Sequence, residues 1–179
     1  MNIILLCGSA QNGKSSTASI LEEELKTRGH RPLRIAYGDY VKFVSKQYFG
    51  WSGEKDKVGR TILQHVGTEI FRGKDENFWT DTVIRYCKVM LDEYDFAIID
   101  DCRFPNEIER WADFKFKNVK TIKITRPSFD NGLTEVQKHH ASETALDGYA
   151  FDYEVIAENL EELNDIVKND LMGWLLETQ

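Results

Sequence analysis

The sequence predicts an α/β fold, in which the strands of a parallel sheet alternate with helices. Five short runs rich in Ile and Val are separated by segments that have the spacing of amphipathic helices. Two of these runs, residues 2–6 and 96–100, are almost continuously apolar. Continuous apolar runs are typical of strands that a parallel sheet buries on both faces. Regular alternation of strands and helices is typical of such sheets.

The predicted strands are bounded by glycine, proline and polar residues, which typically begin or end elements. Each of the three prolines, Pro32, Pro105 and Pro127, lies where an element is expected to begin or end. The predicted strands span residues 2–6, 33–37, 96–100, 119–125 and 153–157.

Four segments between or after these strands place apolar residues three or four positions apart, as on one face of a helix. The first ends at Gly29, a residue typical of a helix C-cap. The last begins at Asn159, with Glu162 three residues later, which is the spacing of a capping box. The apolar stripes are Ala18, Leu21 and Leu25; Val58, Ile62, Val66 and Ile70; Trp79, Val83, Tyr86 and Met90; and Leu163, Val167, Leu171 and Trp174.

The length of 179 residues, with no internal repeat and no low-complexity tract, predicts one domain over residues 1–179. Residues 129–149 differ from the rest because they are polar, contain Gly132 and Gly148, and show weak periodicity. We therefore expect this segment to form an excursion from the sheet.

The charge balance argues against a polyanionic macromolecule as partner. The chain has 23 basic and 30 acidic residues, a formal net charge of −7, so no overall positive field gathers nucleic acid or an anionic membrane. No run approaches 18 apolar residues, and residues 1–10 lack the cationic flank of a signal peptide. Three cysteines without a CxxC pair indicate a reduced compartment. We expect a cytoplasmic protein that binds neither nucleic acid nor membrane.

The strongest functional motif is GxxxxGK[ST], which follows the first predicted strand and precedes the first predicted helix. In such a loop the glycines let backbone amides face phosphate oxygens, and the helix N-terminus adds positive charge. The lysine reaches the β and γ phosphates, and the following hydroxyl binds Mg²⁺. The alternative is a flexible turn without a ligand. The motif and the next residue comprise Gly8, Ser9, Ala10, Gln11, Asn12, Gly13, Lys14, Ser15 and Ser16.

A second group of polar residues follows the third predicted strand. Asp100 and Asp101 lie at its carboxyl end, where ligands of open α/β sheets bind and where one carboxylate is expected to hold Mg²⁺. The alternative is that both aspartates cap a following turn. Arg103 is expected either to bind phosphate or to neutralise the aspartate pair.

A third group lies on the predicted helix around residues 60–72. At 100° per residue Arg60, Gln64 and Gly67 form a polar stripe beside the apolar one. This stripe is suited to a phosphate and a base edge, whereas the alternative is a solvated helix face.

Three further residues have two interpretations each. Asp39 and Lys42 follow the second strand, where they either contact an acceptor or belong to a capped surface helix. Trp79 either stacks on a base or packs in the core, as its helical spacing indicates.

The motif, residues 59–72 (GRTILQHVGTEIFR), residues 101–107 (DCRFPNE) and residues 140–143 (HASE) together resemble the phage-type deoxynucleoside monophosphate kinase family. The resemblance extends over nearly the whole chain in the family's order. It implies a P-loop nucleoside monophosphate kinase fold with a five-stranded parallel sheet and helices around it. It also implies an acceptor-binding region at about residues 38–80 and a lid at about residues 127–149.

The resemblance further implies roles for individual residues. The motif residues and Ser16 would bind ATP, with Mg²⁺ at Ser15 and Asp101. Arg126 would lie near the donor nucleotide, and Asp101 with Arg103 would match the family's Asp-x-Arg-Phe pattern. The residues expected to contact the acceptor are Asp39, Lys42, Arg60, Gln64, Arg72, Trp79 and Arg103.

The activity expected from this resemblance is transfer of the γ-phosphoryl group of ATP to a deoxynucleoside monophosphate. Such a transfer depends on positioning and charge and uses no covalent nucleophile. Its alternatives are a kinase for another phosphorylated acceptor, such as dephospho-coenzyme A or phosphomevalonate, and a nucleotide-dependent switch. The partners would be small nucleotides, and the sequence leaves open whether the chain forms a homodimer. The expected catalytic residues are Lys14, Arg60, Arg72, Asp101 and Arg103.

Overall fold

In the computed structural model, five strands form one sheet in the order β2-β3-β1-β4-β5, and every neighbouring pair is parallel. The structure describes residues 1–54, 56–129, 132, 134, 138–139 and 141–177. The predicted α/β class with a five-stranded parallel sheet flanked by helices is confirmed. The strands are β1 (Asn2–Cys7), β2 (Pro32–Ile35), β3 (Phe96–Cys102), β4 (Asn118–Thr125) and β5 (Tyr153–Ile156).

Helices connect the strands, and two of them continue into wider π-helical turns. The helices are α1 (Lys14–Thr27), α2 (Tyr37–Tyr48), α3 (Lys57–Gln64) with its π-helical continuation His65–Arg72, α4 (Phe78–Val89), α5 (Pro105–Glu109) followed by the 3₁₀ turn Arg110–Asp113, α6 (Ala141–Thr144), α7 (Leu160–Ile166) with its π-helical continuation Val167–Leu171, and α8 (Met172–Glu177).

Both faces of the sheet are covered, because successive side chains of a strand point to opposite faces. In β1, Ile4 and Leu6 pack into a core with α1 and the C-terminal helices. Ile3 and Leu5 of the same strand pack into a second core with α2, α4 and the π-helical turn after α3. This burial explains why β1 is almost continuously apolar.

The second strand is shorter than the sequence predicts. It ends at Ile35, and Tyr37 instead begins α2. The carboxylate of Asp101, at the end of β3, accepts the backbone N–H groups of Tyr37 and Gly38 and so caps this helix. The strand β2 therefore ends early because α2 begins at Tyr37, where its N–H binds a carboxylate 64 residues later in the sequence.

Two predicted helix stripes are displaced in the structure. On α4 the buried face includes Ile84 and Cys87, and Tyr86 is 40% exposed at its edge. On α3 Val58 is 67% exposed, although Val66 is buried. A repeat of four residues drifts by about 40° per step around an α-helix, so a long stripe leaves the core at one end.

The predicted lid at about residues 127–149 is described only in part. Residues 130–131, 133, 135–137 and 140 of this segment lie outside the described residues, and they include His140 of the HASE tetrad. The rest of the tetrad begins α6.

Across the part of the chain that the structure describes, every helix is too short or too polar to cross a membrane.

Candidate functional site

A polar cavity of about 740 Å³ opens at the carboxyl ends of β1, β2 and β3. The connection from β1 to β2 runs in one direction across the sheet, and the connection from β3 to β4 runs in the opposite direction. Such a switch point is where open α/β sheets bind ligands, and this volume lies within the range typical of ligand pockets. The cavity is lined by Gln11, Gly13, Lys14, Ser15, Ser16, Arg34, Ile35, Ala36, Asp39, Lys42, Asp100, Asp101 and Arg103.

The β1–α1 loop, residues 8–13, forms one wall of this cavity. Gly8 has φ +135°, and a Cβ atom there would lie 2.4 Å from the carbonyl oxygen of Ile124 in β4. Gly13 has φ +96° and forms the N-cap of α1. Both positions require glycine, because a side chain would either overlap the neighbouring strand or strain the backbone. The strand-loop-helix context predicted for the motif is therefore present.

The ammonium group of Lys14 lies over this loop. Its Nζ donates to the carbonyl oxygens of Gly8 at 2.7 Å and Ser9 at 2.6 Å, and the residue is only 7% exposed. Burial, together with the nearby charge of Arg103, lowers the pKa of Lys14 to about 8, although the charges of Glu143 and Asp101 partly offset the shift. A cation is thus held close to the loop in a dry environment.

Asp101 lies at the opposite wall, against the start of α2. Its two carboxylate oxygens accept the N–H groups of Tyr37 at 3.0 Å and Gly38 at 2.8 Å. Burial raises the pKa of Asp101 to about 6, although these two hydrogen bonds favour the charged form. Asp101 therefore caps α2, which lies earlier in the chain, rather than the turn after β3, and it lines the cavity as well.

Asp100 points to the other face of the sheet and pairs with Arg34, which the sequence analysis did not select. The guanidinium donates through Nε at 3.1 Å and Nη2 at 2.5 Å to one oxygen of Asp100, and through Nη1 to Ser19 at 2.9 Å. Arg34 lines the cavity. The sequence feature that could have identified Arg34 is its position as a charged residue in a short, otherwise apolar strand.

Arg103 is paired with Glu143 of α6 rather than with the two aspartates. Arg103 Nη1 donates to Glu143 Oε1, and the backbone N–H of Ala10 in the β1–α1 loop donates to Glu143 Oε2 at 2.7 Å. The sequence-based interpretation included Glu143 in the HASE tetrad but predicted no function for it. The contact joins three segments that are distant in the sequence.

Arg72 ends the π-helical turn after α3 and docks on residues 103–107. Its guanidinium donates to the buried carboxylate of Glu107 and lies 4.8 Å from the centre of the Phe104 ring. Glu107 also accepts the backbone N–H groups of Arg103 at 2.6 Å and Phe104 at 3.2 Å. Arg72 does not line the cavity, but Glu107 links it to Arg103, which does.

The predicted polar stripe on the third helix does not form one surface at the cavity. Arg60 and Gln64 are exposed, whereas Gly67 is buried against α2, where a Cβ atom would lie 3.1 Å from Val41. Gly67 therefore makes room for Val41 and not for a ligand. Trp79 is 2% exposed and donates from Nε1 to the carbonyl of Gly67 at 3.0 Å, which favours the core alternative over stacking on a base.

The remaining predicted contacts lie on either side of the loop. Asp39 and Lys42 line the cavity and pair with each other at 2.8 Å along α2. Arg126 lines a separate cavity of about 120 Å³, which Asn12 and Gly13 also line. Its Nε donates to the carbonyl of Glu158 at 2.9 Å, and its guanidinium lies 4.0 Å from the centre of the Phe129 ring.

The oxygen donors at the cavity fit a magnesium ion. Ser15, Asp100 and Asp101 all line it, and Mg²⁺ prefers oxygen ligands, commonly one or two carboxylates together with phosphate oxygens. Among the described residues no group of three or more His, Cys, Asp or Glu side chains is arranged to hold a metal by itself.

No protein-family model matches the chain, and no curated protein matches it.

Proposed function

We propose that the protein is an ATP-dependent P-loop kinase that phosphorylates deoxynucleoside monophosphates, with ADP and a deoxynucleoside diphosphate as products. The observation that carries the proposal is the GxxxxGK[ST] loop between β1 and α1, which opens with Lys14 onto a large polar cavity. The same cavity has Arg34, Lys42 and Arg103 as cations and two aspartates at its sheet edge. Bound polyanions need such local cations, because the chain as a whole is acidic.

On the donor side, the loop amides and the start of α1 bind the phosphates of ATP, and Lys14 reaches the β and γ phosphates. Ser15 and Asp101 would hold Mg²⁺, which would neutralise phosphate charge. Arg126 lines a small cavity with Asn12 and Gly13 of the loop, and the resemblance implies that it lies near the donor nucleotide. Each of these roles follows from the motif and from the resemblance to the kinase family.

On the acceptor side, Asp39 and Lys42 of α2 face the cavity from the region between β2 and α4. An oxygen of the acceptor phosphate attacks the γ phosphorus in line, the bond from that phosphorus to the β–γ bridging oxygen breaks, and ADP leaves. Arg103 and Lys14 stabilise the charge of the transferred group. No side chain forms a covalent bond.

The test is an ADP-release assay with ATP and Mg²⁺ over deoxynucleoside and ribonucleoside monophosphates, dephospho-coenzyme A and phosphomevalonate. We expect ADP to form with at least one deoxynucleoside monophosphate, at a higher kcat/KM than with its ribonucleotide. Without an acceptor, ADP release should be nearly absent, since a kinase completes its site when the acceptor binds. Equal release with and without acceptors indicates a nucleotide-dependent switch, and release only with another acceptor reassigns the substrate.

The acceptor assignment of Arg72 and Arg60 is tested separately. Neither side chain lines the cavity, so this assignment rests on the resemblance alone. If it holds, replacing either residue by alanine raises KM for the monophosphate and leaves KM for ATP nearly unchanged. Loss of a charge-assisted contact to phosphate typically costs about 1.5 to 3 kcal/mol. If both variants keep the wild-type KM for the monophosphate, this helix is not part of the acceptor site.

A further inference from the structure

Glu143 connects three parts of the molecule at the cavity. One carboxylate oxygen accepts the Arg103 guanidinium, and the other accepts the Ala10 backbone N–H at 2.7 Å. Glu143 belongs to α6, whereas Ala10 lies in the β1–α1 loop, 133 residues earlier. The Glu143 side chain is 9% exposed and the Arg103 side chain 31%, so the carboxylate is largely shielded from water and the guanidinium partly. Charged groups shielded in this way interact more strongly than surface pairs.

We propose that Glu143 is a positioning residue for phosphoryl transfer, which holds the Arg103 guanidinium against the β1–α1 loop. The inference rests on the proposed function, because it gives Glu143 a role in that reaction. Glu143 acts through Arg103 and does not itself contact the nucleotide.

The surroundings of Arg103 show why its side chain needs such a partner. The backbone N–H of Arg103 is bound by Glu107 at 2.6 Å, so the residue is fixed at its main chain. The guanidinium stands at the end of a long, flexible side chain, at the boundary between the large cavity and a smaller one beside α6. A carboxylate that bridges the guanidinium and the loop restricts this side chain to one position.

Charge supports the same role. Arg103 is close enough to Lys14 to disfavour the charge of the Lys14 ammonium, and Glu143 offsets this repulsion. A carboxylate at this place therefore allows both cations to stay near the loop. Both are needed there if the transferred phosphoryl group lies between them.

The test compares Glu143→Gln with Arg103→Met and the double variant in the ADP-release assay. Gln keeps the shape of the side chain but removes its charge and one acceptor. We expect E143Q to lower kcat by about 10-fold to 100-fold while KM for ATP stays within about threefold, because coupled neighbours typically interact on this scale. In the R103M background the same change should have almost no further effect, because Glu143 acts through Arg103.

Asp81→Asn provides a matched control. Asp81 of α4 pairs with Arg110 at 2.7 and 3.0 Å and is also partly buried, but neither residue lines the cavity. D81N should lower the melting temperature without changing kcat. This result separates the loss of an ion pair from the loss of a positioned guanidinium.

The outcomes separate this inference from the proposed function. If the wild type phosphorylates no acceptor of the panel, both are wrong. If the wild type is active but E143Q keeps its kcat, or lowers kcat by the same factor in the R103M background, the positioning role alone is wrong. A lower KM for ATP with undiminished kcat also overturns the positioning role, because Glu143 would then compete with phosphate for the loop.

If E143Q does not fold, Glu143→Asp, which keeps the charge but shortens the reach, undergoes the same comparison.

Discussion

Lys14 shows how a single buried charge serves a site at the expense of stability. Its ammonium is removed from water, and its hydrogen-bond partners are the loop carbonyls of Gly8 and Ser9 rather than a carboxylate. Burial without a direct counter-charge explains the lowered pKa of Lys14. Such groups are typical of functional sites, where strength of interaction with a ligand outweighs stability.

Replacing Lys14 by Met is expected to reduce phosphoryl transfer by about 10²- to 10³-fold, which corresponds to roughly 3 to 4 kcal/mol. The fold should persist, because among the described residues the hydrogen bonds of Nζ go to two loop carbonyls, and Met fills much of the same volume. Steady-state kinetics and circular dichroism of the variant measure both effects. Normal turnover in a folded variant would contradict the assignment of the loop to phosphate binding.

Lys14 also makes stability depend on pH. Its pKa falls from 10.5 in the unfolded chain to about 8 in the folded protein, so between these values the unfolded state binds more protons. The cost of burying the charge is therefore present below pH 8 and is relieved as the pH rises. From pH 7.5 to 9.5 the wild type should gain about 2 kcal/mol of unfolding free energy relative to K14M. Urea titrations of both proteins without nucleotide or metal test this, and a constant difference would contradict it.

At the scale of elements, the β1–α1 loop is shaped by β4 as much as by its own residues. Gly8 lies directly against the backbone of Ile124. The motif in the sequence predicted a glycine at this position for the sake of a ligand. The structure adds a second reason, which is the close approach of two neighbouring chain segments.

Gly8→Ala is expected to destabilise the protein more than Gly29→Ala. Both glycines have positive φ, +135° and +81°, so both variants strain the backbone. At Gly29 the new Cβ atom meets nothing within 4 Å, whereas at Gly8 it overlaps the Ile124 carbonyl. The unfolding free energy should fall by about 1 to 3 kcal/mol more for G8A. Equal losses in denaturant titrations would show that the loop relaxes away from β4.

The helical region after α2 shows why the predicted acceptor stripe did not form. The predicted stripe requires an α-helical rotation of 100° per residue along its whole length. His65–Arg72 instead form π-helical turns with i→i+5 hydrogen bonds. The wider turn changes the direction of each later side chain. Gly67 therefore faces Val41 of α2 while Arg60 and Gln64 stay exposed, and no local pattern in the sequence specifies this change.

At the scale of the whole molecule, the core that β1 shares with α2 and α4 buries all three cysteines. Cys7 and Cys102 are register partners on β1 and β3, and Cys87 lies on the buried face of α4. Burial raises the pKa of Cys87 to about 12 and that of Cys102 well above its usual range. Neither thiol is therefore ionised near neutral pH in the folded protein.

The native protein should react with almost none of its thiols at pH 8, and the denatured chain with all three. Titration with a chromogenic disulfide reagent, with and without guanidinium chloride, measures both numbers. Rapid reaction of one thiol in the native protein would contradict this prediction and would show that the core around that cysteine opens to solvent.

The sequence by itself determined the five strands to within two residues at each end, four of the helical segments and the glycine loop before α1, but neither α2 nor α5. These features depend on local periodicity and on backbone angles that neighbouring residues dictate. Only the tertiary structure decided which charges meet: Arg34 with Asp100, Arg72 with Glu107, and Arg103 with Glu143. These partners lie 66, 35 and 40 residues apart, and they meet because the strand order β2-β3-β1-β4 brings distant carboxyl ends to one edge. No spacing along the chain encodes that order, since it follows from how all the helices pack on the sheet at once.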